Sequence, residues 1–252
     1  MIGWQEPYAA LSAVIEAVGR PEFPQATAAA LSRFAGFDLA ALVAHEAAGP
    51  RLLYDNFDAI GARQGVQTYV HATWSINPLL QQGPRHGVVR ARDFSLRDEP
   101  LPRASSRNPA AAYLVMDPEE ELGFRTVGWP RHMEEIGVYF SSPEGVVELT
   151  FCRPRGRALV ADERLSALKA MTHPLAAAFA RHRDLTAGRA AWREALSPRE
   201  AQVADLLLLG CGTEAVELRL GITRNTVKDY RKRIYRKLSI SGLPELFALA
   251  GR

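Results

Sequence analysis

The chain has 252 residues and a formal net charge of +3; 47% of its residues are hydrophobic and 23% are charged. These values are ordinary for folded domains, so they exclude a disordered chain, a collagen-like chain and a coiled-coil rod, and the length predicts one large domain or two smaller ones. No uncharged apolar run is long enough to span a membrane, and the first residues lack the basic region of a signal peptide. We therefore expect a cytoplasmic protein with no membrane partner.

The first 185 residues combine helical and strand patterns, judged by the period at which apolar residues recur. Helices are predicted, in chain order, at residues 7–18, 24–35, 59–73, 109–122 and 162–182. Strands are predicted at residues 37–44, 53–54, 87–91, 134–142 and 145–153, the last two as a hairpin about the residues SPEG. We also expect a break at Pro78 and a polar loop over 91–109. Helices around an antiparallel sheet predict an α+β domain over 1–185, which a linker at 186–195 follows.

Residues 196–252 carry the signals of four helices and predict an all-α domain. The residues SPRE at 197–200 have the spacing of a capping box with proline at the first helical position, so the first helix begins there. Either Gly210 or Gly212 ends it. The other three helices are predicted at residues 213–220, 224–237 and 243–250.

The third of these helices is strongly basic. Between Arg224 and Lys237 seven residues are basic and one, Asp229, is acidic. A charge run alone is typical of a solvated helix face, and basic amphipathic helices also bind calmodulin or membrane surfaces. Neither reading explains the two capped helices before it, the turn at Gly221 or the cap at Thr223. That layout is typical of a helix-turn-helix, whose second helix enters the major groove while its cations neutralise phosphates.

Residues 196–247 resemble the DNA-binding domain of LuxR/FixJ-type transcription regulators. The matching motifs are LSPRE, a glycine after the first apolar helix, LGIT, NTVK, RKL and PELF. The resemblance implies double-stranded DNA as a partner and places Lys228, Asp229 and Lys232 at the floor of the groove. The remaining candidate DNA contacts, most of them nearer the phosphates, are Thr213, Thr223, Arg224, Asn225, Thr226, Arg231 and Tyr235.

Two acidic residues of this region leave alternatives open. Asp229 either accepts a hydrogen bond from the amino group of a cytosine or pairs with Lys232 or Arg233 within its own helix. Glu217 stands where the family nearly always has alanine, in the angle between two helices. Its carboxylate either reaches solvent or pairs with a neighbouring arginine.

The preceding region is similar to GAF-like sensory domains, which stand before this type of DNA-binding module in many one-component regulators. The similarity lies in Tyr69, Asn77-Pro78-Leu79 and Gly87-Val88-Val89, followed by a hairpin, an Arg153-Pro154 turn and a long helix. Autoinducer-binding relatives carry Asp-Pro where this chain has Asn-Pro. Candidate ligand-binding residues are Tyr54, Tyr69, Trp74, Asn77 and Trp129. Because residues 69–80 contain no Lys, Arg, Asp or Glu, we expect a neutral or aromatic-amide-like effector.

Signatures of enzymes and metal sites are absent from the sequence. It contains no GxSxG, HExxH, GxxxxGK[ST] or CxxC motif, and its six histidines show no ligand spacing. The two cysteines, Cys152 and Cys211, make neither a disulfide framework nor a zinc site alone. We expect no catalytic residue, metal or cofactor, and so no enzyme.

These observations predict a one-component transcription regulator. It would bind a pseudo-palindromic DNA site as a homodimer, under the control of a small-molecule effector, with RNA polymerase as a further partner. The alternatives are a ligand-free regulator controlled by protein contact, an acyl-homoserine-lactone receptor, and an enzyme that its basic tail localises. Two apolar stripes are candidates for the dimer contact: Leu165, Leu168, Met171, Leu175 and Phe179 in one helix, and Leu246 and Leu249 in the last.

Overall fold

The computed structural model describes residues 5–82, 85–94, 105, 108–143 and 145–250. Most of the polar loop predicted over 91–109 and Glu144 of the predicted hairpin turn lie outside the described residues. Contacts divide the chain into a first unit, Met1–His182, and a second unit, Arg183–Arg252. The first unit is α+β and the second is helical, which confirms the fold class predicted from the sequence.

Helices and strands of the first unit follow the predicted order closely. The helices are α1 (Gln5–Glu16), α2 (Phe23–Ala35), α3 (Arg63–His71), α4 (Pro78–Gln82) and α5 (Asp162–Glu194), the last of which continues into the second unit. The strands are β1 (Leu39–Glu46), β2 (Gly49–Asp55), β3 (Gly87–Arg90), β4 (Leu114–Met116), β5 (Phe124–Thr126), β6 (Met133–Ser142) and β7 (Gly145–Pro154).

Five strands form one antiparallel sheet in the order β2-β1-β7-β6-β3. Successive side chains of a strand point to opposite faces, so each strand contributes to two environments. From β7, Val147, Leu149 and Phe151 enter the large apolar core on one face. Glu148 and Thr150, between them, point to the other face. We call these the core face and the cavity face.

The core face packs against α1, α2 and α5. Phe23 and Leu31 of α2 and Leu168 and Leu175 of α5 are fully buried there. The apolar stripe of α5 that was a candidate dimer contact consists of Leu165, Leu168, Met171, Leu175 and Phe179. All of them pack within the first unit, because an amphipathic helix on a sheet buries its apolar stripe against that sheet. This stripe is therefore not a free surface.

Three predictions for the first unit need correction. The helix expected at 109–122 is a three-ten turn, Pro109–Tyr113, followed by the β4–β5 hairpin. Pro118 disfavours helix at the residue before it, and Gly123, whose φ is +80°, turns the chain into β5. The helix expected to end at His182 runs to Glu194, through the predicted linker, because the intervening residues include no proline and many good helix formers. The break predicted at Pro78 is the start of α4.

The second unit contains the four predicted helices, α6 (Pro198–Leu208), α7 (Thr213–Leu220), α8 (Arg224–Lys237) and α9 (Leu243–Leu249). Their shared core is apolar and includes Val203, Val216, Val227, Ile234 and Leu246. Leu246 is fully buried and Leu249 packs against the same core, so the second candidate dimer stripe is also used within its own unit. Across the described chain, no helix combines the length and apolarity needed to cross a membrane.

Candidate functional site

The start of α6 is tied to the end of α8. Ser197 and Glu200 form the predicted capping box, in which the Ser197 N–H donates to Glu200 Oε2 at 2.8 Å. Lys237 Nζ donates to the same oxygen at 2.6 Å. The hydrogen bond from Lys237 is the main reason that the pKa of Glu200 falls from 4.5 to about 2. Two helices distant in sequence are thus joined by one carboxylate.

The turn between α7 and α8 is set by local chemistry. Gly221 has a φ of +61°, in the left-handed region that favours glycine, and ends α7. Thr223 caps α8, because its Oγ1 accepts a hydrogen bond from the Thr226 N–H at 3.3 Å. Val216 and Val227 are fully buried and hold the two helices together. The pair therefore has the helix-turn-helix layout that the sequence predicts.

The outward face of α8 is polar and exposed. Val227 and Ile234 mark its buried face. At about 100° per residue, Asn225, Asp229 and Arg236 lie within about 40° of the opposite direction. All three are exposed, as are Lys228 and Lys232 beside them. This face is available to a partner molecule.

Some cationic side chains of α8 contact other residues of the second unit, and others do not. The Arg231 guanidinium donates to the Tyr235 hydroxyl at 3.3 Å, and that of Arg233 lies 5.8 Å from the centre of the Tyr230 ring. Among the described residues, Lys228, Asp229 and Lys232 have no side-chain hydrogen bond and no ion pair within 4 Å. Their charges are therefore available to another molecule.

A second candidate site lies on the cavity face of the first unit. A cavity of about 60 Å³ opens between the sheet, α3 and the β4–β5 hairpin. Its apolar walls include Phe124, Trp129 and Met133. Its polar lining includes Tyr69, Thr73, Asn77, Glu120, Glu121, Arg125, Thr126, Glu135 and Thr150. A few polar groups among apolar walls are typical of small-molecule sites.

One buried carboxylate organises the cavity face. Glu148 of β7 is 1% exposed and accepts hydrogen bonds from the hydroxyls of Tyr69, at 2.6 Å, and Tyr139, at 2.8 Å. Its Oε2 also lies 2.7 Å from His45 Nε2, and the Asn77 amide donates to Oε1 at 3.4 Å. Burial, and then the charge of Glu148, raises the pKa of both tyrosines well above the usual value. Both tyrosines therefore stay protonated as donors.

A second carboxylate, that of Glu135 on β6, lines the cavity directly. Burial, followed by the charges of Glu148 and Glu121, raises its pKa from 4.5 to about 8. The Cys152 thiol, a weak donor, lies 3.7 Å from it. Burial likewise raises the pKa of Glu121, whose carboxylate accepts from the Glu135 N–H at 3.1 Å. Glu135 is consequently mostly protonated at neutral pH, so its carboxyl group both donates and accepts hydrogen bonds in the cavity.

Comparison with known proteins places the second unit in a family. Residues 194–250 match the model described as bacterial regulatory proteins, luxR family. A helix-turn-helix-type transcriptional regulator from the exeN 3′ region of Aeromonas salmonicida is 32% identical over 158 residues, which cover 53% of this chain and 79% of that protein. The chain belongs to the LuxR family of transcriptional regulators.

Solved structures similar to this LuxR-family regulator include two bacterial proteins. The ligand-binding domain of VqsR from Pseudomonas aeruginosa is 15% identical, with a TM-score of 0.45, over 71% of this chain and 96% of that one. SdiA from Escherichia coli is 15% identical, with a TM-score of 0.39, over 97% and 98% of the two chains. Because these scores lie below 0.5, the family assignment rests on the sequence matches.

The structure gathers the candidate DNA contacts of this LuxR-family chain on one helix-turn-helix. Thr213 begins α7 and Thr223 caps α8. The others lie on α8: Arg224, Asn225, Thr226, Lys228, Asp229, Arg231, Lys232 and Tyr235. Of the two alternatives for Asp229, pairing within the helix is not observed. Glu217 is partly exposed and shows no ion pair in the described chain, which favours the solvent-facing alternative.

The candidate ligand-binding residues separate into three places. Tyr69, Asn77 and Trp129 line the cavity. Trp74 is partly buried outside its lining, with its ring centre 5.7 Å from that of His45. Tyr54 does not join them: it pairs with Leu42 in the sheet and packs on the core face, because strand alternation directs it away from the cavity.

Sequence reasoning missed the carboxylates of the cavity face. Glu120, Glu121 and Glu135 line the cavity and Glu148 lies beside it, so the lining is charged although residues 69–80 contain no Lys, Arg, Asp or Glu. These residues are far in sequence from 69–80. The available signal was Glu148 itself, a charged residue inside the apolar strand GVVELTF, since a charge at a buried strand position requires partners.

Proposed function

We propose that this LuxR-family regulator binds a pseudo-palindromic site in duplex DNA as a homodimer, reading bases with α8. The observation that carries the proposal is the exposed face of α8, where Lys228, Asp229 and Lys232 have no partners within the described chain. An α-helix fits the major groove, and its first residues reach the base edges. The cytoplasm, where the chromosome lies, is the proposed location, and RNA polymerase is a proposed further partner.

A dimer follows from the symmetry of such a site. Two recognition helices would enter successive major grooves about 34 Å apart, which determines the spacing of the half-sites. Both apolar stripes considered for the contact pack within their own units. The dimer contact must therefore use other surface residues, and DNA itself can bring two chains together.

Binding to a random duplex library at low salt, followed by sequencing of the retained fraction, tests the proposal. Lys228→Ala and Lys232→Ala should weaken binding to the selected site roughly 5- to 100-fold if either lysine contacts a base. Lys169→Ala is the matched control, because Lys169 is an exposed lysine of the first unit. Equal affinities for wild type and both α8 variants would contradict the proposed interface.

Sedimentation tests the assembly. The chain has a mass of 27.7 kDa, so the proposed dimer should add twice that mass to the mass of the selected duplex. The dimer would be contradicted if only one chain bound to a duplex that contains both half-sites when the protein is at saturating concentration.

We further propose that a small molecule bound in the cavity controls the regulator. The lining combines Trp129 and Phe124 with the carboxyl groups of Glu121 and Glu135, which favours a polar head group that both donates and accepts hydrogen bonds, such as an amide. At about 60 Å³ the cavity admits only a few heavy atoms, since a cavity of about 150 Å³ holds benzene. The rest of a larger effector would extend outside.

An acyl-homoserine lactone is a less favourable effector on this geometry. The Asn77 amide nitrogen already donates to the Tyr69 hydroxyl at 3.0 Å and to Glu148, and its oxygen accepts from the Leu79 N–H at 3.0 Å. Both amide hydrogens of Asn77 are therefore engaged, and it has no donor left to offer a ligand. The carboxyl group of Glu135, which lines the cavity, is the better anchor.

Native mass spectrometry of the protein purified from its own host tests effector control. We expect wild type to retain a small non-peptide mass, Trp129→Leu to lose it, and Trp74→Leu to keep it, because Trp74 is outside the cavity lining. Retention by the Trp129 variant would contradict the cavity as the site. No retained mass in wild type would favour the alternative of control by protein contact.

A further inference from the structure

We propose that Asp229 determines the sequence preference of α8 by accepting a hydrogen bond from the N4 amino group of a cytosine in each half-site. This inference rests on the proposed DNA binding. It assigns a base-reading role to the single acid of a helix whose other charged residues are all basic.

Asp229 occupies the part of α8 that would approach base edges most closely. It is the sixth of the 14 residues of the helix, in the half nearer the N-terminus. Relative to the buried Val227 it lies about 200° around the helix axis, at 100° per residue. It is exposed, and so points away from the core of the second unit. Recognition helices contact base edges chiefly with residues near their N-termini.

The helix does not neutralise this carboxylate internally. Arg233, one turn further on, is the best placed intrahelical partner for an acid at position 229. Its guanidinium instead lies over the Tyr230 ring, with 5.8 Å between guanidinium carbon and ring centre. Lys232 is also nearby, and within the described residues no ion pair joins either cation to Asp229. The carboxylate oxygens therefore have open hydrogen-bonding positions.

An unpaired carboxylate at a phosphate-binding surface is unfavourable unless it meets a donor. An ionised aspartate has acceptors only. In the major groove, cytosine presents an amino donor, guanine presents two acceptors, and thymine presents an acceptor and a methyl group. Adenine presents a donor beside an acceptor. Asp229 therefore attracts cytosine and repels guanine and thymine. It lowers the affinity of α8 for random DNA and increases its discrimination between bases at the contacted position.

The test compares base frequencies selected from a random duplex library by wild type, Asp229→Asn and Glu214→Gln. The Glu214 variant is the matched control. Like Asp229→Asn it removes one exposed negative charge, but it does so from α7 and leaves α8 unchanged. Wild type should select cytosine at one position of each half-site, roughly 10-fold or more over guanine and thymine. Asp229→Asn should change that position toward adenine, which an amide contacts through two hydrogen bonds.

The outcomes separate this inference from the proposed function. If Asp229→Asn selects the same bases as wild type and only binds random DNA more tightly, as Glu214→Gln is expected to do, Asp229 contributes charge alone and the inference is wrong. If wild type retains no duplex at low salt, the proposed DNA binding itself fails. Circular dichroism and melting of each variant confirm that a changed preference does not come from an unfolded second unit.

Discussion

Loss of the ion pair between Glu200 and Lys237 should destabilise the second unit in a pH-dependent way. The pKa of Glu200 falls from 4.5 to about 2 in the folded protein, mainly through the hydrogen bond from Lys237. At 1.36 kcal/mol per pKa unit, this shift limits the contribution of the Glu200 carboxylate to the free energy of unfolding to about 3 kcal/mol. The Lys237 side chain is 40% exposed, so solvent screens the pair. We therefore expect about 1 kcal/mol for the ion pair alone.

The sign of the pH dependence follows from linkage. Because the folded pKa is depressed, the stabilisation is fully present above pH 4.5 and is lost as the pH falls toward about 2. Glu200→Gln keeps an acceptor for the capping box but carries no charge. Its free energy of unfolding should therefore be about 1 kcal/mol below that of wild type at pH 7, and the difference should be smaller at pH 3 and disappear as the pH falls toward about 2.

Urea unfolding followed by circular dichroism at pH 7, 4.5 and 3 measures this difference. The transition that belongs to the second unit is the one that Lys237→Met shifts. Glu200→Ala also breaks the capping box and should lose about 1 kcal/mol more. A double-mutant cycle with Glu200→Gln and Lys237→Met gives the coupling. A wild-type to Glu200→Gln difference that is the same at all three pH values would refute the reasoning, since the pair then contributes no titratable stabilisation.

Three further perturbations have defined outcomes. Gly65→Ala should lower the melting temperature strongly, because its Cβ would lie 2.6 Å from backbone atoms of a neighbouring loop, whereas Gly212→Ala meets nothing within 4 Å and should change it little. Tyr139→Phe removes a donor to the buried Glu148 and should cost about 1–3 kcal/mol in urea unfolding; no loss would show that the bond is not stabilising. If the proposed dimer neutralises about eight phosphates, log K should fall against log salt with a slope of about −7, and Lys228→Ala should make that slope shallower only if the residue contacts phosphate.

The second unit was predictable because its signals are local. The capping box at Ser197 and Glu200, the left-handed turn at Gly221 and the cap at Thr223 each act within a few residues of the chain. The bounds predicted for α7 and α8 are those observed. Local hydrogen bonds and backbone preferences decide such elements, so the helix-turn-helix and its basic face follow from local sequence alone.

The cavity face was decided by tertiary structure. Glu148 meets Tyr69 across 79 residues and His45 across 103, and no local pattern encodes such pairings. Likewise, Tyr54 looked equivalent to Tyr69 in sequence, yet strand alternation and register direct it to the core face. The sequence supplied the residue types and the sheet, but only the packing of strands against one another could decide which carboxylates and aromatic rings share a cavity.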